Sequence, residues 1–573
     1  MNAKRTMDVA QGVQNAELVL KNAQIINVFT GDIELSDIAI DQGMIVGIGD
    51  YQGNQTIDLN HAYVAPGCID GHVHIESSMV TPPAFAKLVV PKGTTSVIAD
   101  PHEIGNVSGV AGIEYMIESA KDIPLNVFIM APSCVPATAF ENAGAVITND
   151  DIEALKQYPE VIGLGEVMDY VAVLEGDASI HQKINTMRPR PIDGHAPDIM
   201  DKALNAYISA GVQTDHECTQ LESLKARVKR GMYVHLREGS ATRNLKTLLN
   251  GITPMNHHRL LFCTDDKHPE DILKEGHINW NINVAIQAGI NPIMAIRMAT
   301  INTAQCYQLK QLGAVAPGYR ADLIVFNALE RIEPHLVFKD GMLVAKDQEA
   351  LFEVKPKTSN AVLNTMHIDP NTIDLTLKLK QSKVHVIGLI ENNITTKKLI
   401  REVTVKNGVY HNDPDQDILK LAVIERHQST GNVGIGLVEG YGIKNGAIAL
   451  SIAHDSHNII VIGDDDDSMH LAIQTLYAMQ GGIAVVNKNQ VVGKLPLEIS
   501  GIMTNQDPHD VSKIILSMTE TIESMGLNQA IDDPFITLAF LSLPVIPELK
   551  LTDTGLFDVH QFKIIPVEAS DES

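Results

Sequence analysis

The chain has 573 residues, 45% of them hydrophobic and 20% charged, with a formal net charge of −26. That acidic excess argues against nucleic acid or an anionic membrane surface as partner, because both reward clustered Lys and Arg. No apolar run reaches about 18 residues, so a membrane span is not expected.

The N-terminus, "MNAKRTMDVAQGVQN", lacks the apolar stretch of a secretory signal. Residues 16–64 hold short strand-like runs, "AELVLKNAQIINVFTGDI", "DIAIDQGMIVGIGD" and "TIDLNHAYVAPG", separated by turn residues. From residue 65 to about 310 the pattern changes: short β-rich runs alternate with longer helical stretches, the signature of βα units and a parallel sheet. Eight runs are present: "GCIDGHVHIE", "TTSVIAD", "NVFIMAPS", "VIGLGEVMD", "RPIDGHAP", "GVQTDHE", "YVHLREGS" and "RLLFCTDD". Each starts apolar and ends polar. A parallel strand covered on both faces should be apolar throughout, so the polar ends need a reason. An eight-stranded (β/α) barrel supplies one, because its active site is built from the C-terminal ends of several strands.

After the barrel, "LGAVAPGYRADLIVFNALERIEPHLVFKDGMLVA" (312–345) has the character of the first 64 residues. The expected architecture is α/β: a metal-dependent (β/α)8 barrel at 65–311, a composite small β-sandwich from 1–64 with 312–355, and a C-terminal α+β domain at 365–573. Within that last region, "DDDD" at 464–467 reads as a solvated loop, and "HDSHN" at 454–458 as a cluster that binds a metal, completes the active-site mouth or ties down a turn. Five cysteines (Cys68, Cys134, Cys218, Cys263, Cys306) are odd in number and never in a CxxC pair, which suits reduced thiols in the cytoplasm.

His72 and His74 lie two apart, so on a strand they share a face while Val73 points away. Two imidazoles so placed suit one divalent ion, each about 2.0–2.1 Å from it if zinc; alone, the pair reads equally as two histidines hydrogen-bonded in a core. His195, His216 and Asp265 on later strand ends strengthen the metal reading. Glu166 either bridges two cations, which would activate a shared water, or orients a histidine from behind. His195 and His216 would hold the second ion. Asp265 can touch a metal and act as general base, with Asp266 orienting substrate or passing protons. Asp100 is read either as contacting the activated water or as capping the next helix. Arg237 and Glu238 in "LREGS", with Ser240, are candidates for substrate recognition, an internal ion pair being the competing reading. His257, His258, His268 and His277 are read as surface or supporting groups. Nitrogen and oxygen ligands of this kind suit zinc, manganese or iron.

"PGCIDGHVHIE", the histidines on strands five and six, the aspartate after strand eight and "LGAVAPGYRADLIVF" resemble the amidohydrolase superfamily. "GHVHIESSMVTP", "DPHEIGNV", "GEVMDY", "REGSATRNL", "CTDDKHP", "SIAHDSHNIIVIG" and "AFLSLPVIPELKLTDTGLFD" are more closely similar to the bacterial adenine deaminases, over residues 67–558. Many binuclear amidohydrolases carry a carboxylated lysine where Glu166 stands; "GLGEVMD" has no lysine. The resemblance implies hydrolytic deamination of adenine to hypoxanthine and ammonia in purine salvage, with two divalent ions, manganese foremost. Glu217 or Asp100 is nominated to protonate the purine ring, and the expected assembly is a homodimer. The alternatives are a cyclic amidohydrolase acting on a hydantoin or dihydropyrimidine, and a metal-binding barrel without chemistry.

Overall fold

The computed structural model describes residues 3–570 apart from 198, 241, 392, 414 and 415. The eight barrel strands are Cys68–Val73, Thr94–Ala99, Asn126–Ala131, Val161–Val167, Ile192–Gly194, Thr214–Asp215, Tyr233–Arg237 and Leu260–Cys263. The first and second are buried along their whole length, which is why they read as continuous apolar runs.

Strands one to five form one parallel sheet and six to eight another. Two seams join them. Between strands five and six, Gln213 N–H donates to Ile192 O at 3.0 Å. Between strands eight and one, Asp265 N–H donates to His72 O at 2.9 Å and His74 N–H to Asp265 O at 3.1 Å. Asp70 clamps the second seam, accepting from Thr264 N at 3.1 Å and Thr264 Oγ1 at 2.5 Å. The same closure that completes the barrel therefore sets His72, His74 and Asp265 side by side.

The flanking pieces join as one nine-stranded sheet. Tyr63–Pro66, the last strand before the barrel, pairs antiparallel with Leu323–Phe326, the first after it, from Tyr63 opposite Phe326 to Pro66 opposite Leu323. Residues of both pieces, Leu20, Ile38 and Val64 with Leu323, Val325 and Phe338, share one apolar cluster.

The C-terminal region carries an eight-stranded sheet that is antiparallel except where Lys383–Ile390 runs parallel to Val433–Glu439. The helices Asp466–Met479 and Pro508–Ser524 accompany it, and a three-stranded sheet, Leu549–Thr552, Gly555–Asp558 and Lys563–Ile565, follows. Its apolar core runs on into that of the barrel, and Thr504 N–H donates to Met79 O at 2.9 Å.

The four aspartates do not form the solvated loop that their charge suggests. Asp464 accepts from Asn445 N at 2.6 Å and Gly446 N at 2.9 Å, and Asp465 accepts from Ser468 N at 2.7 Å as the N-cap of Asp466–Met479. Acidic groups at a helix start complement its exposed N–H groups and its dipole. The five cysteines are free and buried. Among the described residues no helix is long and apolar enough to cross a membrane.

Candidate metal centre and active-site cleft

His72, His74, Glu166, His195, His216 and Asp265 are all buried and meet at the C-terminal ends of the barrel strands. The two-residue spacing brings His72 Nε2 and His74 Nε2 to 3.2 Å. Glu166 divides its carboxylate between two groups. Its Oε1 lies 3.8 Å from His72 Nε2 and 3.3 Å from His74 Nε2; its Oε2 lies 2.7 Å from His195 Nδ1 and 3.1 Å from His216 Nε2. Asp265 Oδ1 completes the first group, 3.1 Å from His74 Nε2 and 3.6 Å from His72 Nε2.

The chemistry of these donors fits cations. His74 Nδ1 lies 2.9 Å from the Asp100 carbonyl. A carbonyl only accepts, so Nδ1 carries the hydrogen and Nε2 turns its lone pair toward His72 Nε2, Glu166 Oε1 and Asp265 Oδ1. Lone pairs that converge in a buried space ask for a positive charge between them. The electrostatics agree. Burial alone would push His74 down, yet Asp265 and Glu166 hold its proton affinity well above the usual histidine range, and surroundings that attract a proton attract a metal ion. Burial alone would raise the Glu166 carboxyl, but His216 and His195 outweigh it and keep it well below the usual carboxylate range. Among the described residues, the buried Nδ1 of His72 and of His216 has no hydrogen-bond partner.

A shell of buried groups fixes the ligands. Asp100 Oδ2 accepts the Glu166 N–H at 2.8 Å, and Ser133 Oγ donates to Glu166 O at 2.5 Å. Asp100 does not cap the helix His102–Ser119, whose N-cap is Pro101 without a side-chain bond. The His195 N–H donates to Tyr207 OH at 3.1 Å, and that hydroxyl donates to Val167 O at 2.8 Å. Buried Arg227 pairs with Asp215, beside His216, and its Nη1 donates to Ile199 O at 3.2 Å. Arg237 Nη1 donates to Glu217 Oε1 at 2.6 Å and also to Asp265 Oδ2. Arg237, expected to recognise substrate with an internal ion pair as the competing reading, is ion-paired with Glu217 and Asp265 rather than with Glu238.

The cleft above the ligands has one polar and one apolar side. Arg237, Glu217, Asp265 and Asp266 line it from the barrel; Ile394, Phe540, Leu543, Val545 and Ile546 line it from the C-terminal region. Asp266 accepts from Ser77 Oγ at 2.5 Å. Glu238 and Ser240 do not line the cleft: Glu238 lies 3.7 Å from Arg243, and Ser240 Oγ donates to Asp271. Of the remaining histidines, His258 is exposed, whereas His268 pairs with Asp533 at 3.0 Å and His277 is buried 3.3 Å from Asp70.

Sequence reasoning passed over two residues here. His102 and Glu103 close the "DPHE" motif that Asp100 opens, and both line the cleft. The signal was the histidine–glutamate pair itself, but the partners of Glu103 are His454 and His457, far along the chain. The apolar wall carried no chemical signal.

Barrels that gather imidazoles and carboxylates at this end use them to hold catalytic cations, so the class is that of a metal-assisted hydrolase. Residues 63–359 match the Amidohydrolase family and residues 393–563 the Adenine deaminase C-terminal domain. Adenine deaminase 2 of Carboxydothermus hydrogenoformans is 49% identical over 98% of this chain and 99% of its own length. The adenine deaminase of Geobacillus kaustophilus is 47% identical over 97% of both chains, and that of Clostridium acetobutylicum 45% over 98% of this chain and 99% of its own. The chain belongs to the amidohydrolase family and, within it, to the adenine deaminases.

Proposed function

We propose that the protein hydrolyses adenine to hypoxanthine and ammonia in cytoplasmic purine salvage, as a homodimer. The observation that carries this reading is the division of the Glu166 oxygens between two histidine pairs, beneath a cleft with an apolar wall, in a chain whose full-length relatives are named adenine deaminases. His72, His74, Asp265 and one Glu166 oxygen would hold one divalent ion; His195, His216 and the other oxygen would hold the second, with manganese favoured over iron or zinc. Cations held there would supply a water acidic enough to ionise near neutral pH.

The protein groups divide the remaining work. Ile394, Phe540, Leu543 and Val545 offer a planar purine an apolar face and exclude bulk water. Asp265, held ionised because Arg237 and the histidines outweigh its burial, takes a proton from the attacking water and returns it to the departing amine. Asp266 beside it orients the amine. Arg237 holds Asp265 in place through its own bond to that carboxylate.

The test is direct. Metal-reconstituted protein is incubated with adenine, adenosine, cytosine and hydantoin, and ammonia is measured. Release from adenine alone is expected; silence with adenine overturns the reading.

A further inference from the structure

Deamination at C6 requires an acid as well as a base: addition of water to C6 drives an electron pair onto N1, and a proton must meet it there. Asp100 and Glu217 are both committed as acceptors: Asp100 Oδ2 takes the Glu166 N–H at 2.8 Å, and Glu217 Oε1 takes the Arg237 guanidinium at 2.6 Å.

The cleft contains another titratable group, His454, which arrives from the C-terminal region. Its Nδ1 lies 2.6 Å from Glu103 Oε1, its ring stacks on Phe540 with centroids 4.4 Å apart, and its side chain lines the same cleft as Asp265 and Asp266. A carboxylate only accepts, so Nδ1 carries a hydrogen and Nε2 is left for the cleft; among the described residues Nε2 has no hydrogen-bond partner. The other oxygen of Glu103 accepts from His457 Nε2. His457 Nδ1 in turn accepts the Ala453 N–H at 3.3 Å, so the His457 hydrogen sits on Nε2. That proton placement makes the triad a hydrogen-bonded relay rather than a third cation site, because no lone pair of His457 faces Glu103.

We propose that His454 is the acid that protonates N1 of adenine, with Glu103 and His457 as positioning residues; this rests on the adenine deaminase reading above. The groups facing His454 are Glu103, Asp266, Asp455 and His457. Burial alone would lower its pKa, but Glu103, with Asp266 and Asp455, pushes it up to about 9, so the imidazolium is populated at neutral pH. As oxygen adds to C6, N1 takes the Nε2 proton of His454. Asp265 carries one water proton to the exocyclic nitrogen, which leaves as ammonia with the C6–N electron pair. The second water proton, lost as the C6–O bond becomes a carbonyl, restores the His454 imidazolium.

The experiment uses the full chain reconstituted with Mn²⁺. His454→Ala and His454→Gln should lower kcat by about 100-fold or more with KM within about threefold and bound manganese unchanged. Free imidazole should restore part of the His454→Ala rate. Wild-type kcat should fall above about pH 9, and Glu103→Gln, which removes the charge that raises His454, should move that limb down by about one pH unit or more. Should the His454 variants fail to fold, the Glu103→Gln limb decides. The proposal is overturned by kcat within about fivefold of wild type, by loss of one bound metal per chain, by a defect confined to KM without imidazole rescue, or by an unmoved limb in Glu103→Gln. Wild-type protein inactive on adenine would instead overturn the function on which it rests.

Discussion

The Asp100 carboxylate accepts the backbone N–H of Glu166 at 2.8 Å, and Gly165 makes that approach possible. A Cβ at Gly165 would lie 2.3 Å from Asp100 Oδ2, closer than any side chain can stand. The bond fixes the strand end from which Glu166 reaches both histidine pairs. Gly165→Ala and Asp100→Ala should each weaken metal binding roughly 10–100-fold. Because both remove the same contact, the double variant should be no worse than the poorer single one. Metal titration of the three variants checks this; fully additive losses would show that the residues act separately.

Glu166→Gln keeps the shape and removes the charge shared by the two groups of ligands. Bound metal should fall from two ions per chain to one or none, with adenine turnover down by about 100-fold or more, beyond the effect of losing an outer partner. Elemental analysis of the purified variant beside an ammonia assay decides it. Two tightly held ions in Glu166→Gln would leave the carboxylate an orienting group only.

Asp265→Asn should cost on the order of 10²–10⁴ in kcat as the loss of a proton shuttle. Single-turnover rates at saturating metal separate that loss from weaker ion binding. A variant within a few-fold of wild type would take the base role away from this residue.

Lys550 offers a test of the cleft wall. It is buried, and its Nζ donates to Ile394 O at 2.7 Å and Phe540 O at 2.9 Å, two residues of the wall. Burial pushes its ammonium down to about 7, against about 10.4 in an unfolded chain. Across that window the unfolded chain binds the extra proton, so this contribution to stability is full above about pH 10.4 and is lost as pH falls toward 7. Lys550→Met should remove that slope, on the order of a few kcal/mol. Denaturant midpoints of both proteins at several pH values measure it. Parallel curves would mean that the ammonium is solvated.

The sequence made the meeting of His72, His74, Glu166, His195, His216 and Asp265 legible because their signals are local: an i, i+2 pair on one strand, and histidines or carboxylates that end otherwise apolar runs. The composite sheet was legible because Tyr63–Pro66 and Leu323–Phe326 share a β-rich, turn-bounded character. What escaped depended on distance or on backbone. Asp100 acts on a main-chain N–H, which no residue pattern announces. Glu103 is defined by His454 and His457, which only the docked C-terminal region brings near. Four aspartates in a row looked like a solvated loop because charge alone says nothing about which of them will cap a helix. Glu238 and Ser240 sat beside Arg237 in "LREGS", yet the chain turns after Arg237 and commits them to Arg243 and Asp271 instead.

The pairing of Tyr63–Pro66 with Leu323–Phe326 has a consequence for biosynthesis. The first of these strands leaves the ribosome with one edge bare and must wait for the entire barrel to be made before its partner emerges, a long-range contact of the kind that slows folding and leaves an edge open to association. The apolar wall of the cleft comes later still, from the C-terminal region. A nascent polypeptide can therefore gather its ligands before it can shelter a substrate, and an enzyme truncated near its end should capture manganese yet turn over little or no adenine.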